Sequence, residues 1–152
     1  MCRGFGAWVA RRRLRGTKAG DVVADVKEAT KRPELSERLA SNEDAPYRAR
    51  RSVAKFLRDL GWEELTSAAT LLVSELVTNA LMYAPGPIVL HVWDAGGTLR
   101  VEVHDTSRVV ARLRAPNGGG RGLGIVDALA TCWGSLPTDR NGKVTWFELA
   151  PA

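Results

Sequence analysis

Leu76-Val77-Thr78-Asn79-Ala80-Leu81-Met82-Tyr83-Ala84-Pro85-Gly86-Pro87-Ile88-Val89-Leu90-His91-Val92-Trp93 (residues 76–93) is the stretch in which the hydrophobic period changes. Upstream of the prolines, Leu72, Val73, Leu76, Val77 and Ala80 recur at helical spacing and predict a helix from about Glu64 to Tyr83. Ala84-Pro85-Gly86-Pro87 ends it, because proline offers no N–H to the ladder. Downstream, Ile88 to Trp93 and Leu99 to His104 alternate with a period of two. Asp94-Ala95-Gly96-Gly97-Thr98 joins them as a hairpin.

Working outward, Asp44 and Pro46 mark a helix start with a capping carboxylate and a proline in the first turn. Ala49, Val53, Phe56, Leu57 and Leu60 continue that helix, and Gly61 stops it. Glu34 to Ala40 reads equally as a short strand or a loop. Val109 to Gly120 has no clear period and reads as a mobile loop over Pro116-Asn117-Gly118-Gly119-Gly120. A third helix follows from about Leu123 to Thr131. Two strands, near Trp133–Pro137 and Val144–Leu149, flank Asp139-Arg140-Asn141-Gly142. This order predicts an α+β two-layer sandwich, with helices on one face of a mostly antiparallel sheet.

The 152 residues suit one core, and 45% hydrophobic with 26% charged residues exclude a chain too polar to fold. No run of 18 apolar residues occurs, so no membrane span is expected. The arginines of Met1 to Gly16 follow the apolar stretch rather than precede it, the wrong order for a secretory signal, and a cytoplasmic location is expected. Cys2 and Cys132 lack metal-ligand spacing and are expected as reduced thiols, Cys132 in a packing role. The net charge of +5 is uneven. Residues 1–33 hold nine basic side chains, including Arg11, Arg12, Arg13 and Arg15, against Asp21, Asp25 and Glu28. Residues 1–33 therefore read as a basic, disordered extension, or as an arm for anions or nucleic acid, and residues 34–152 as the domain. The domain itself carries no basic excess, so nucleic acid is not an expected partner.

Three elements carry chemistry. Glu75 and Asn79, four residues apart, leave their helix on one face. They form either a plain solvent face or a site in which the amide oxygen meets magnesium and the carboxylate takes a proton. Gly120-Arg121-Gly122-Leu123-Gly124 precedes an apolar helix, where backbone N–H groups can hold an anion, although glycine clusters also serve as hinges. It matches neither a P-loop nor a dinucleotide fingerprint. Asp105, at a strand end, is either a turn former or an acceptor for an exocyclic amine.

Glu-x-x-x-Asn on a helix, Asp after a strand and Gly-x-Gly-x-Gly together resemble the ATP-binding domain of the GHKL superfamily. Leu72-Val73-Ser74-Glu75-Leu76-Val77-Thr78-Asn79-Ala80, Gly122-Leu123-Gly124-Ile125-Val126 and Trp146-Phe147-Glu148-Leu149 are most similar to bacterial anti-sigma-factor serine kinases. The likeness covers about residues 35–150 and implies a Bergerat-type ATP-binding fold. It implies ATP and Mg2+ as cofactors, with Glu75 as general base and Asn79 on magnesium. Asp105 would meet the adenine amine, and Gly120, Arg121, Gly122, Leu123 and Gly124 would lie against the phosphates. Residues 106–119 would form a lid. The implied partners are a sigma factor and an antagonist protein phosphorylated on serine, with the kinase a homodimer.

The chain departs from that pattern at three places. Asp105-Thr106-Ser107-Arg108-Val109 lacks both glycines of the usual Asp-x-Gly-x-Gly, Tyr83 stands where many relatives have histidine, and the polar Thr145 falls one position late. Two functions follow: an ATP-dependent serine kinase, or a non-catalytic module that keeps the fold and titrates a partner. Nucleic-acid or membrane-surface contact through Arg11 to Arg15 is a third reading. Nothing resembles the phosphoacceptor helix pair of a histidine kinase.

Overall fold

A computed structural model describes residues 33–113, 122–139 and 141–152. The expected basic extension therefore lies outside the described residues, apart from Pro33. In chain order the elements are β1 (Glu34–Leu39), α1 (Ala45–Leu60), a 3-10 turn (Glu63–Leu65) and α2 (Thr66–Tyr83). They continue with β2 (Ile88–Asp94), β3 (Leu99–Asp105), α3 (Gly122–Leu129), β4 (Cys132–Thr138) and β5 (Gly142–Leu149). Among the described residues the strands form one antiparallel sheet in the order β1-β2-β3-β5-β4. The α+β expectation holds, and the ambiguous 34–40 segment is a strand.

Alternation decides which face each strand shows. Ile88, Leu90 and Val92 of β2 and Leu99, Val101 and Val103 of β3 are buried, while their neighbours are only partly covered. In β5 the buried set is Lys143, Thr145, Phe147 and Leu149. The apolar ones among these meet Ala49, Val53 and Leu57 of α1 and Leu72, Val73, Leu76, Val77 and Ala80 of α2 in one core. On the other face, the Arg100 guanidinium lies 3.6 Å from the Trp146 ring centroid. It also pairs with Glu102 and Glu148, both at 2.9 Å.

Residues 63–83 are long and apolar enough to cross a membrane on length and composition alone, although polar residues such as Ser74, Glu75 and Asn79 interrupt the apolar run. In this fold the apolar stripe of α2 packs into the core. The termini of α1 show a second difference. Gly61 closes it in the left-handed conformation (φ 72°), as glycine permits. Asp44, however, makes no side-chain capping bond; its own N–H donates to Asn42 Oδ1 at 3.1 Å. Cys132 is buried, and Cys2 lies outside the described residues.

Candidate functional site

A cavity of about 560 Å³ opens between α2, the start of α3, the segment after β3 and the end of the sheet. Helix α2 supplies one wall through Glu75, Thr78, Asn79, Met82 and Tyr83. Spacings of three and four residues bring these to one face, beside the stripe that enters the core. Ser74, one step away, faces α1 instead and accepts a hydrogen bond from Arg50 Nη1 at 2.8 Å. Glu75 and Asn79 are half-buried in the cavity wall, and neither makes a side-chain hydrogen bond or ion pair to another described residue. Partly covered polar groups elsewhere are engaged: Ser135 with Thr145, Glu102 with Arg100 and His104. Polar groups left unengaged in a concavity are what a ligand site requires.

Helix α3 meets this wall end-on. It begins at Gly122, and Gly122 and Leu123 both line the cavity. The first N–H groups of a helix lack intrahelical partners, so this end favours an anion. Trp133 Nε1 donates to Asp127 Oδ1 at 2.8 Å, fastening α3 to β4. Gly124 does not line the cavity, and a Cβ there would meet open space. Gly120 and Arg121 lie outside the described residues.

The segment after β3 forms the opposite wall through Ser107 and residues 109–113. It is tied down at several points. Ala111 N–H donates to Ser135 Oγ at 3.0 Å, and Ser135 pairs in turn with the buried Thr145 Oγ1 at 3.1 Å. Arg108 Nη2 reaches Asn141 Oδ1. This is the described part of the segment expected to act as a lid.

Asp105 is placed differently from a free acceptor. Its side chain is 2% exposed, Oδ2 pairs with Lys143 Nζ at 2.7 Å, and Oδ1 accepts from Ser107 N–H at 2.8 Å. Lys143, itself 1% exposed, lines the cavity, whereas Asp105 does not. Lys143 escaped the sequence reading. The available signal was alternation: Lys143, Thr145, Phe147 and Leu149 share a face, so a lysine joins a buried series. Met82 and Thr78 were also missed as cavity residues; both were read only as parts of a helix.

A divalent cation fits this donor set in part. Among the described residues there is no cluster of three or more His, Cys, Asp or Glu side chains able to hold a metal alone. Asn79 and Glu75 offer hard oxygens, and phosphate oxygens and water would have to complete the shell, as magnesium commonly accepts. A metal would thus arrive with a polyphosphate rather than reside by itself.

None of the curated proteins matches the chain. The family model described as the histidine kinase-like ATPase domain matches residues 39–148, from the last residue of β1 into the end of β5. That span is well over half of the sequence and contains every described wall of the cavity. With its antiparallel sheet, its one-sided helices and a glycine-started helix closing the pocket, this chain belongs to the histidine kinase-like ATPase domain family, of GHKL type.

Proposed function

We propose that this domain binds ATP with magnesium and transfers the γ-phosphoryl group to a serine of an antagonist protein, acting as an anti-sigma factor or a related regulator. The observation that carries the reading is the unengaged pair Glu75 and Asn79 in the cavity wall, beside the opening turn of α3. The amides at that turn hold phosphate oxygens, and Asn79 Oδ1 holds the cation. Magnesium, when bound, neutralises phosphate charge. Glu75 accepts the proton of the attacking serine hydroxyl as its oxygen bonds to the γ-phosphorus. The bond to the bridging oxygen breaks, and ADP leaves. A cytoplasmic homodimer that sequesters a sigma factor is the form consistent with this role.

A second reading is a non-catalytic module that keeps the fold and binds a partner. It is favoured by one observation, the engagement of both Asp105 oxygens by Lys143 and Ser107. Calorimetry with ATP and magnesium, followed by transfer from labelled ATP to the cognate antagonist, tests both. Binding with transfer that Glu75→Gln abolishes supports the kinase. Binding of the partner without nucleotide binding up to millimolar ATP supports the module and sinks the kinase.

A further inference from the structure

Basic side chains are unevenly placed in the domain. Helix α1 holds Arg48, Arg50, Arg51, Lys55 and Arg58 against the single acid Asp59. The rest of residues 34–152 carries thirteen acidic side chains and eight basic ones. Because Ala49, Val53 and Leu57 turn one side of α1 to the core, Arg51, Lys55 and Arg58 share the opposite, exposed side with Tyr47.

Two features set that side apart from an ordinary solvated face. Arg48, Arg51, Lys55 and Arg58 follow one another at spacings of three and four residues, and like charges so spaced work against a helix. Asp59 relieves Lys55 at 2.6 Å and Glu37 meets Arg48 at 3.7 Å, but Arg51 and Arg58 have no ion pair among the described residues. The second feature is Tyr47, which is 54% exposed. Its ring centroid lies 5.9 Å from the Arg50 guanidinium and 5.8 Å from that of Arg51. Tyrosine and arginine are the residue types enriched among those that carry protein-binding energy.

The patch is also bounded. Exposed Glu43 and Asp44 precede α1 and exposed Glu63 and Glu64 follow it, so the basic surface ends with the helix, about 24 Å long. A nucleic-acid duplex would carry its phosphates past both acidic ends. A membrane surface would require an apolar stripe beside the charges, and the stripe of α1 is spent on the core. The basic residues 1–33 would be repelled. A short acidic polypeptide segment meets none of these objections.

We propose that the outward side of α1 docks an acidic helix of a partner protein, with carboxylates on Arg51 and Arg58 and an apolar side chain against Tyr47. Arg51 and Arg58 are two turns apart, about 10 Å along the axis, a spacing that a partner helix repeats. Arg50, which touches the Tyr47 ring, also donates to Ser74 Oγ at 2.8 Å, so the surface adjoins the helix bearing Glu75 and Asn79. Docking here does not depend on the nucleotide reading, and each can fail without the other.

Fluorescence anisotropy with the full chain tests the proposal. The probe is a labelled synthetic helix of about 16 residues, matched to α1, with two glutamates two turns apart and a leucine one turn before the first. The unaltered protein is expected to bind it at low salt. Arg51→Glu combined with Arg58→Glu should weaken binding at least about tenfold. Tyr47→Ala, which removes no charge, should weaken it about fivefold. All three positions are exposed, so the variants should fold, as circular dichroism would check; Arg51→Gln with Arg58→Gln serves if the reversal disturbs α1. Failure of the unaltered protein to bind the peptide up to millimolar concentration overturns the proposal. Binding that survives the reversal does so too, since it would reside elsewhere, as would a reversal effect that Tyr47→Ala does not share, the mark of charge attraction alone. If the reversal weakens binding of a short DNA duplex as strongly, the patch is a general polyanion surface and the proposal falls. Self-association that the reversal abolishes would give the surface to a second copy, and overturns it as well.

Discussion

A Cβ placed on Gly122 would lie 2.5 Å from Oε2 of Glu75, so the carboxylate and the first residue of α3 share one small space. Here a glycine is needed for close approach rather than for an unusual backbone angle. The helix end that would attract phosphate also fixes where the proposed base can sit. Gly122→Ala should keep α3, since alanine is the better helix former, yet displace Glu75. Phosphotransfer should fall by up to about 100-fold, as expected of a misplaced catalytic group. Far-UV circular dichroism should stay unchanged.

Asn79→Ala and Glu75→Gln should separate binding from chemistry. Asn79→Ala removes an amide oxygen that no described side chain engages. Stability should therefore change by no more than about 0.5 kcal/mol, while magnesium-dependent nucleotide binding is lost in calorimetry. Glu75→Gln should keep that binding and lose transfer. Equal loss of binding in both variants would mean that Glu75 holds the ligand rather than the proton.

The buried pair Asp105–Lys143 predicts a marked asymmetry in unfolding experiments. Removing one partner alone, as in Lys143→Met, strands a carboxylate whose side chain is 2% exposed. The expected loss is about 3–5 kcal/mol in denaturant titration. Replacing both, as in Asp105→Leu with Lys143→Met, should recover most of it, because two apolar groups leave no charge uncompensated. Additive losses in the double variant would contradict this account.

Most of the fold was legible because its helices and strands carry clean periods. The α2 stripe and the β2–β3 alternation each needed only local sequence, and Pro85-Gly86-Pro87 marked the change between them. Glu75 and Asn79 were legible for the same reason, since helical spacing alone sets them on one face. Lys143 was not. Its role depends on β5 lying beside β3, a pairing across the intervening α3 and β4 that no local pattern encodes. A lysine in a short strand also reads by default as a solvent-facing residue. Asp44 misled for the opposite reason: the residue type suits a cap, but its side chain makes no capping bond.

Acid should weaken this fold through Glu102 on the face of the sheet away from α1 and α2. Burial pushes its carboxyl upward, but the hydrogen bonds from His104 and Arg100, with the charge of Arg100, outweigh that effect and hold it below the ordinary value of 4.5. A lowered folded-state value means that the unfolded chain binds the proton more readily. The stabilisation is therefore complete above pH 4.5 and lost as pH falls through the depressed value. Thermal melts should show the unaltered protein losing stability in that acid window, and Glu102→Gln should flatten the decline.

The sheet order has a kinetic consequence. Strand β4 precedes β5 in the chain yet, among the described residues, pairs with β5 alone, and β5 lies between it and β3. Zippering in sequence order therefore stalls after the β2–β3 hairpin, and closure waits for a long-range docking step of the kind that slows folding. That docking of β5 against β3 completes the wall bearing Lys143.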